Sequence, residues 1–198
     1  MKVLSVASEI YPLVKTGGLA DVAGALPAAL RKHGVEAVSL VPAYPAVMAA
    51  IQHPEPIHQY TDLFGGPARL LRGKAKGLDI IALDARHLFD RVGNPYLGPD
   101  GKDWPDNAQR FAGLARAAAD VGQGKVAAFA PDILHLHDWQ AALAAVYVKF
   151  EGGPRTLITV HNIAFQGQFP VSVFGFLGLP PAAYAIDGVE YYGSVSYM

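Results

Sequence analysis

The 198-residue chain contains no cysteine, and only 17% of its residues are charged. The absence of cysteine excludes disulfide bonds and thiolate zinc sites, and it is typical of a reducing compartment, so we expect a cytoplasmic location. Sixteen Lys and Arg residues against 17 Asp and Glu residues give a formal net charge of -1. No basic run stands out, so nucleic acid is not an expected partner.

The sequence also lacks a segment suited to a membrane. The N-terminal MKVLSVASE has too short an apolar run for a signal-peptide core. Residues 156–186 carry no Asp, Glu, Lys or Arg, but His161, Gln166 and Pro170 are among the residues that interrupt them. We therefore interpret this stretch as buried loop and core, and we expect no membrane partner.

Hydrophobic residues make up 52% of the chain, which is enough for a substantial core. Apolar runs predict strands at residues 3–7, 37–41, 78–85, 132–137 and 156–160. Helical spacing predicts helices at 19–30, 106–121 and 139–150, with Asp106 as the N-cap of the second. The region 43–103 is less regular, and the strand at 78–85 is the clearest one in it. Alternating strands and helices predict an α/β fold with a doubly wound, mainly parallel sheet, in one domain of residues 1–198.

Residues 11–27 read YPLVKTGGLADVAGALP and follow the first predicted strand. In open α/β sheets, ligands bind beyond the carboxyl ends of the strands. Gly17 and Gly18 would let a ligand approach the backbone, the following helix could offer amides to an anion, and Lys15 would add a positive charge. The alternative is a plain turn with an exposed lysine. The glycine spacing matches neither a P-loop nor the dinucleotide fingerprint, which disfavours a dehydrogenase.

A second polar group follows the strand at 132–137. His135 and His137 alternate along that strand and could ligate a metal, but no third ligand completes the set, and buried structural histidines are the alternative. Asp138 could act at a ligand site or cap the next helix. Trp139 could offer a flat face to a sugar ring or belong to the core.

His161 and Asn162 close the strand at 156–160 and precede a loop. Their side chains could bind ligand hydroxyls, or they could stabilise their own loop. All three polar groups follow predicted parallel strands, so we expect them at one edge of the sheet. That convergence predicts a site for a polar, partly anionic ligand.

Five segments closely resemble the N-terminal half of bacterial glycogen synthases and plant starch synthases. They are KTGGLADV at 15–22, VPAYP at 41–45, HLFDRVGNPY at 87–96, HDWQAAL at 137–143 and HNIAFQG at 161–167. The resemblance implies the Rossmann-like N-terminal half of a GT-B glycosyltransferase. It further implies a retaining enzyme that moves glucose from ADP-glucose to the non-reducing end of an α-1,4-glucan, such as glycogen or a malto-oligosaccharide. No cofactor and no metal are implied.

The resemblance assigns roles around the sugar-nucleotide donor to matching positions. Lys15, Gly17 and Gly18 would lie near the diphosphate of ADP-glucose. Asp21 would help to build the same floor, and Tyr96 would line the donor side. The preference for ADP over UDP rests on the resemblance alone.

The resemblance assigns other positions to the sugars. His161 would contact the transferred glucose and help to stabilise the positive charge that develops at its anomeric carbon, with Asn162 in support. Asp138 and Trp139 would face the acceptor or the transferred sugar. The implied catalytic residues are therefore His161, Lys15 and Asp138.

The family's second half, a C-terminal nucleotide-binding domain, supplies a basic pair, an acidic residue and most of the adenosine pocket, and it lies outside this chain. We therefore expect this chain alone to be inactive, and we expect the apolar segment 188–198 to pack on the missing part. One alternative is a carbohydrate-binding half-domain without transferase activity. Another is a glycoside hydrolase, which needs paired carboxylates, whereas Asp21 and Asp138 have no obvious partners.

Overall fold

The computed structural model describes residues 1–198, in which strands and helices alternate. The strands are β1 Lys2–Val6, β2 Glu36–Pro42, β3 Gln52–Tyr60, β4 Ala68–Ala75, β5 Leu78–Asp84, β6 Ile133–His137, β7 Arg155–Thr159, β8 Gln168–Pro170, β9 Glu190–Tyr191 and β10 Ser194–Ser196. The α-helices are α1 Gly18–Arg31, α2 Pro45–Ala50, α3 Arg86–Phe89, α4 Asn107–Gly122 and α5 Trp139–Glu151. Short 3-10 helices cover Val171–Phe176 and Pro181–Ala183.

The central sheet has seven strands in the order β3-β4-β5-β2-β1-β6-β7, and β8, β10 and β9 form a small second sheet. Strands β5, β2, β1, β6 and β7 are parallel, which confirms the predicted doubly wound, mainly parallel α/β fold. Strand β2 lies on one side of β1 in the sheet. Strand β6 lies on the other side of β1, and β7 lies next to β6 at the edge. The strand order therefore reverses between β1 and β6, and such a switch point opens a crevice at the carboxyl ends.

Every strand and helix predicted from the sequence is present, with ends within one or two residues of the expected positions. Buried apolar runs account for the strands: β5 keeps only Asp79 partly exposed. Helix α1 ends where Gly34 adopts a positive φ of 73° and Val35 donates its N–H to the carbonyl of Leu30. None of the helices has the length and apolar character needed to cross a membrane.

The sequence showed clearly only one strand within residues 43–103, whereas the structure has two more there, β3 and β4, which pair antiparallel beside β5. Strand β3 contains Pro54 and Pro56, and its pairing is interrupted by two register shifts. Proline is tolerated at a sheet edge, and bulges break the alternation by which a strand is recognised in sequence. The prolines and the register shifts are the reasons why β3 was not predicted from the sequence.

Helix α4 packs against α5 and is buried on almost every side. Its alanines keep the side-chain layer thin, which lets α5 and the sheet approach closely. Asp106 is at the N-cap of α4 as predicted, but its side chain makes no capping hydrogen bond. The carboxylate instead binds the Arg91 guanidinium, so a stronger charge-assisted contact replaces the cap.

Two expectations about the C-terminal third are wrong. Residues 156–186 are not uniformly buried, because β7 is an edge strand and Leu157 is 53% exposed. The segment 188–198 packs largely on the chain's own core. Tyr197 is buried and donates its hydroxyl to the carbonyl of Ala108 in α4.

Candidate functional site

The sheet brings the three predicted loops to one edge. Strand β1 pairs with β6, and β6 pairs with β7, all in parallel. The loop after β1 carries Lys15 to Gly18, the turn after β6 carries Asp138, and the turn after β7 carries His161. These loops therefore border the crevice at the switch point of the sheet.

The loop between β1 and α1 is held by Glu9, which is only 3% exposed. Its carboxylate accepts hydrogen bonds from the backbone N–H and the hydroxyl of Thr16, the latter at 2.7 Å, and a longer one of 3.4 Å from the N–H of Gly17. The Tyr96 hydroxyl donates to the same carboxylate. One buried charge thus fixes both the loop and the tyrosine.

Gly17 and Gly18 keep their backbone open to solvent. A Cβ atom added at either position would meet no atom within 4 Å. Neither residue has a positive φ, and Gly17 is extended with φ -144°. A plain turn that needs glycine's conformational freedom therefore does not explain them, whereas close approach by another molecule would.

Lys15 and Asp21 form an ion pair above this loop. The Lys15 Nζ lies 2.7 Å from Oδ1 and 2.6 Å from Oδ2 of Asp21. The side chains are 45% and 52% exposed, so water screens the pair and its stabilising effect is small. Both groups remain accessible to a ligand, and an incoming anion would compete with Asp21 for the ammonium.

Tyr96 is positioned from two directions. Its hydroxyl contacts Glu9 and lies 2.8 Å from the Ser8 hydroxyl, while the Asn107 amide donates to its backbone carbonyl at 3.0 Å. Burial and the Glu9 charge raise the pKa of Tyr96, so its hydroxyl keeps its proton. The buried Arg110 binds the carbonyl of Pro95 at 2.8 Å and thereby fixes the same loop.

A cavity of about 470 Å³ opens beside the loop. Its walls include Lys15, Thr16, Tyr44, Arg91, Asn94 and Arg110. Three of these side chains carry positive charge. The cavity therefore combines apolar walls with groups that could bind an anion.

Three histidines gather between β6 and β7. The Nδ1 of His137 lies 2.9 Å from the Nε2 of His161, and the two rings stack with centroids 5.2 Å apart. The Nε2 of His135 lies 2.7 Å from the Thr159 hydroxyl. Burial, followed by the neighbouring histidines, lowers the pKa of His137 to about 3. The structure contains no group of three or more His, Cys, Asp or Glu side chains arranged to hold a metal ion.

Asp138 stands at the start of α5 without capping it. Its φ is 56°, and its side chain makes no capping hydrogen bond. Its Oδ1 instead accepts the backbone N–H of His161 at 2.6 Å. The capping alternative is therefore wrong, and Asp138 fixes the position of the turn that carries His161.

Trp139 and Asn162 take part in contacts within the protein. The Trp139 indole meets Phe111 edge to face at 5.0 Å and Phe169 at 5.7 Å, as its core alternative predicts. Gly167 packs so closely on this indole that an added Cβ would lie 2.5 Å from it. The Asn162 Oδ1 accepts the N–H of Ala164 at 3.0 Å, as its loop alternative predicts. Its amide nitrogen makes no hydrogen bond within the chain.

Sequence reasoning assigned no role to Glu9 or Arg110, although both fix the site. Glu9 lies directly beyond β1, and an acidic residue at the end of a buried strand was an available signal. Arg110 is buried in α4 next to apolar positions, and a charged residue at such a position is a signal of a specific contact. Each has at least one partner distant in sequence, Tyr96 at 87 residues from Glu9 and Leu88 at 22 residues from Arg110, which the sequence could not name.

A sequence model of the family described as starch synthase catalytic domain matches residues 2–198. A glycogen synthase from Rhodopseudomonas palustris strain BisB18 is 64% identical over 197 residues, covering 98% of this chain and 40% of that protein. A glycogen synthase from Methylocella silvestris is 56% identical over 200 residues, covering 100% of this chain and 41% of that protein. The chain thus spans about two fifths of the length of these curated relatives.

Among solved structures, the chain is similar to the catalytic domain of starch synthase IV from Arabidopsis thaliana bound to ADP and acarbose. The TM-score is 0.76 and the sequence identity is 25%. The match covers 98% of this chain and 41% of that one.

Proposed function

The chain belongs to the family of starch synthase catalytic domains, and from that premise we propose that it is the N-terminal part of a retaining glucosyltransferase. The full-length protein would transfer glucose from ADP-glucose to the non-reducing end of an α-1,4-glucan. The similar starch synthase IV structure holds ADP and acarbose, which supports a nucleotide and an oligosaccharide as ligands.

The geometry of the loop after β1 is the observation that carries this proposal. Gly17 and Gly18 face open space without needing glycine for their own conformation, and Glu9 holds the loop rigidly. The amides of Thr16 and Gly17 are directed at Glu9, so the first-turn amides of α1, starting at Gly18, would receive a phosphate. Lys15 would leave Asp21 or bridge between it and the diphosphate of ADP-glucose.

The sugar end of the donor would lie beside His161. Its ring is partly exposed, and the Asp138 carboxylate anchors its backbone. The free amide nitrogen of Asn162 borders the same edge of the sheet. Such a donor suits the hydroxyl groups of glucose and glucan. Tyr96 would line the donor side with its ring, because its hydroxyl already donates to Glu9. Trp139 would form part of the wall of the site. It would not stack freely on a sugar ring, because its indole packs against Phe111 and Phe169.

Transfer would depend on residues outside this chain, in a C-terminal domain that completes the cleft in cis. Loss of one preorganised group that stabilises transition-state charge costs roughly 3 kcal/mol. The chain alone would therefore not turn over ADP-glucose at a measurable rate. We propose no metal and no cofactor, because Lys15 and basic groups of the second domain would neutralise the diphosphate. The protein would act in the cytoplasm.

The test is a pair of glycine substitutions in the full-length protein. Gly18→Ala places a methyl group where the donor phosphates would lie, and Gly175→Ala is the matched control. A Cβ at Gly175 also meets open space, and that residue also lacks a positive φ. We expect Gly18→Ala to raise the KM for ADP-glucose roughly tenfold, about 1.4 kcal/mol, and the control to leave it unchanged.

Three results would count against the proposal. Unchanged kinetics in Gly18→Ala would show that the loop does not receive the donor. An equal effect of Gly175→Ala would show that the change acts on folding. Saturable binding of maltotriose without glucosyl transfer by the full-length protein would favour the carbohydrate-binding alternative.

A further inference from the structure

Three polar side chains form a line from the centre of the sheet to the candidate site. The Ser5 hydroxyl in β1 lies 3.1 Å from the Nε2 of His137 in β6. The Nδ1 of His137 lies 2.9 Å from the Nε2 of His161, after β7. Ser5 is 2% exposed and His137 is fully buried, so only His161 reaches the surface.

The direction of the first hydrogen bond follows from the surroundings of Ser5. Its hydroxyl has His137 as its single hydrogen-bond partner. If the hydroxyl accepted a proton from Nε2, its own hydrogen would be buried without an acceptor, which folded proteins avoid. The hydroxyl therefore donates, and the Nε2 of His137 is the accepting nitrogen. The proton of this neutral ring is then on Nδ1.

We propose that Ser5 and His137 are positioning residues that fix the proton of His161 on its Nδ1. The His137 Nδ1–H can be satisfied only by donating to the Nε2 of His161. That acceptance leaves the Nδ1 of His161 as the protonated nitrogen, and this atom makes no hydrogen bond within the chain. His161 therefore presents a neutral N–H donor to the site.

The surroundings of His137 support a neutral chain of hydrogen bonds. The His135 ring lies 4.2 Å away, and no carboxylate hydrogen-bonds to either ring nitrogen of His137. Burial and the two neighbouring histidines keep the pKa of His137 low, at about 3. Protonation of His161 at Nε2 would require both hydrogen bonds to reverse and would leave the Ser5 hydrogen without an acceptor.

The consequence for the ligand rests on the proposed function. A neutral N–H donor on His161 would bind an oxygen atom of the transferred glucose. It would hold the sugar without placing a full positive charge beside an anomeric carbon that becomes positive during transfer.

The test is NMR spectroscopy of the chain labelled with ¹⁵N at histidine. Long-range correlations between ring nitrogens and ring carbon-bound protons distinguish the two neutral tautomers. His137→Gln and His161→Gln identify the signals. We expect protonated Nδ1 and unprotonated Nε2 at both rings at neutral pH. Ser5→Ala should yield a mixture of tautomers at both rings, and Ser5→Thr, which keeps the hydroxyl, should preserve the single state.

A protonated Nε2 on either ring of the unmodified chain would overturn the proposal. So would a single unchanged tautomer in Ser5→Ala, because another group would then fix the proton. ADP-glucose, added without an acceptor to the labelled full-length protein, addresses the proposed function separately. If the tautomers are as expected but the His161 Nδ1 signal does not respond to ADP-glucose, the proposed function fails and the proton assignment stands.

Discussion

At the scale of single residues, the buried carboxylate of Glu9 links positions far apart in the chain. It accepts hydrogen bonds from Thr16 and Gly17 on one side and from Tyr96 on the other. The sequence indicated a ligand loop at Lys15, Gly17 and Gly18, because a lysine next to two glycines directly after a strand is typical of a loop that binds an anion. The position of Glu9 directly beyond β1 was an available signal, but its role depends on Tyr96, 87 residues away, which only the folded chain brings to it.

His137 leads to a prediction about pH. Its pKa is about 3 in the folded chain and about 6.5 when unfolded, so below pH 6.5 the unfolded chain binds a proton that the folded chain excludes. The free energy of unfolding should therefore fall through this residue as the pH drops from 6.5 towards 3, by up to about 1.4 kcal/mol per pH unit. Urea unfolding at several pH values measures this slope.

The matched variants for this prediction are His137→Asn and His33→Asn. The first should reduce the slope of the free energy of unfolding against pH between pH 6.5 and pH 4. The reduction should correspond to at most one bound proton, about 1.4 kcal/mol per pH unit. The second changes an exposed histidine and should leave the slope as it is. Equal slopes in the His137 variant and the unmodified chain would contradict a depressed pKa.

At the scale of elements, the predicted strands and helices were those whose patterns are uniform. Strands β1, β2, β5 and β6 are mostly apolar and are buried on both faces, and sequence shows such runs clearly. Strand β3 was missed because its prolines and bulges disrupt any period. Strand β7 was found, but its burial was predicted wrongly, since the sequence does not say which strand occupies an edge.

Helix α1 gives a prediction at this scale. A Cβ atom at Gly24 would lie 2.3 Å from the backbone carbonyl oxygen of Tyr11, which cannot move independently of its loop. Gly24→Ala gains about 1 kcal/mol in helix propensity, but overpacking typically costs about 1–3 kcal/mol. We expect a net loss of stability, seen as a lower urea midpoint.

Gly18→Ala in the same helix is the control for stability. Its added methyl group meets open space, so its urea midpoint should not fall. If Gly24→Ala is as stable as the unmodified chain, the approach of α1 to Tyr11 is looser than the structure shows.

At the scale of the whole molecule, the two edges of the central sheet differ. The β3 edge carries prolines and bulges, which discourage pairing with another strand. The β7 edge has no such protection. Leu157 within β7 is 53% exposed, and Ile163 and Phe165, in the loop after β7, are 67% and 64% exposed. Exposed apolar side chains at and beyond an unpaired strand edge favour association.

We therefore expect the 198-residue chain to self-associate through β7. Sedimentation velocity over a range of concentrations should show a monomer that converts to larger species. The double variant Leu157→Lys with Ile163→Lys should remain monomeric. Ile186→Lys, at a position outside β7 that is 92% exposed, should associate like the unmodified chain. A chain that stays monomeric throughout would contradict this expectation.

The aromatic packing around Trp139 gives the molecule an internal optical probe. The indole touches Phe111 of α4 and Phe169 of β8, and it lies 6.4 Å from the Tyr197 ring. The other tryptophan, Trp104, lies under the Arg91 guanidinium at 4.6 Å. In a Trp104→Phe chain, the emission wavelength would report whether the small second sheet is docked, because its release would bring water to the indole.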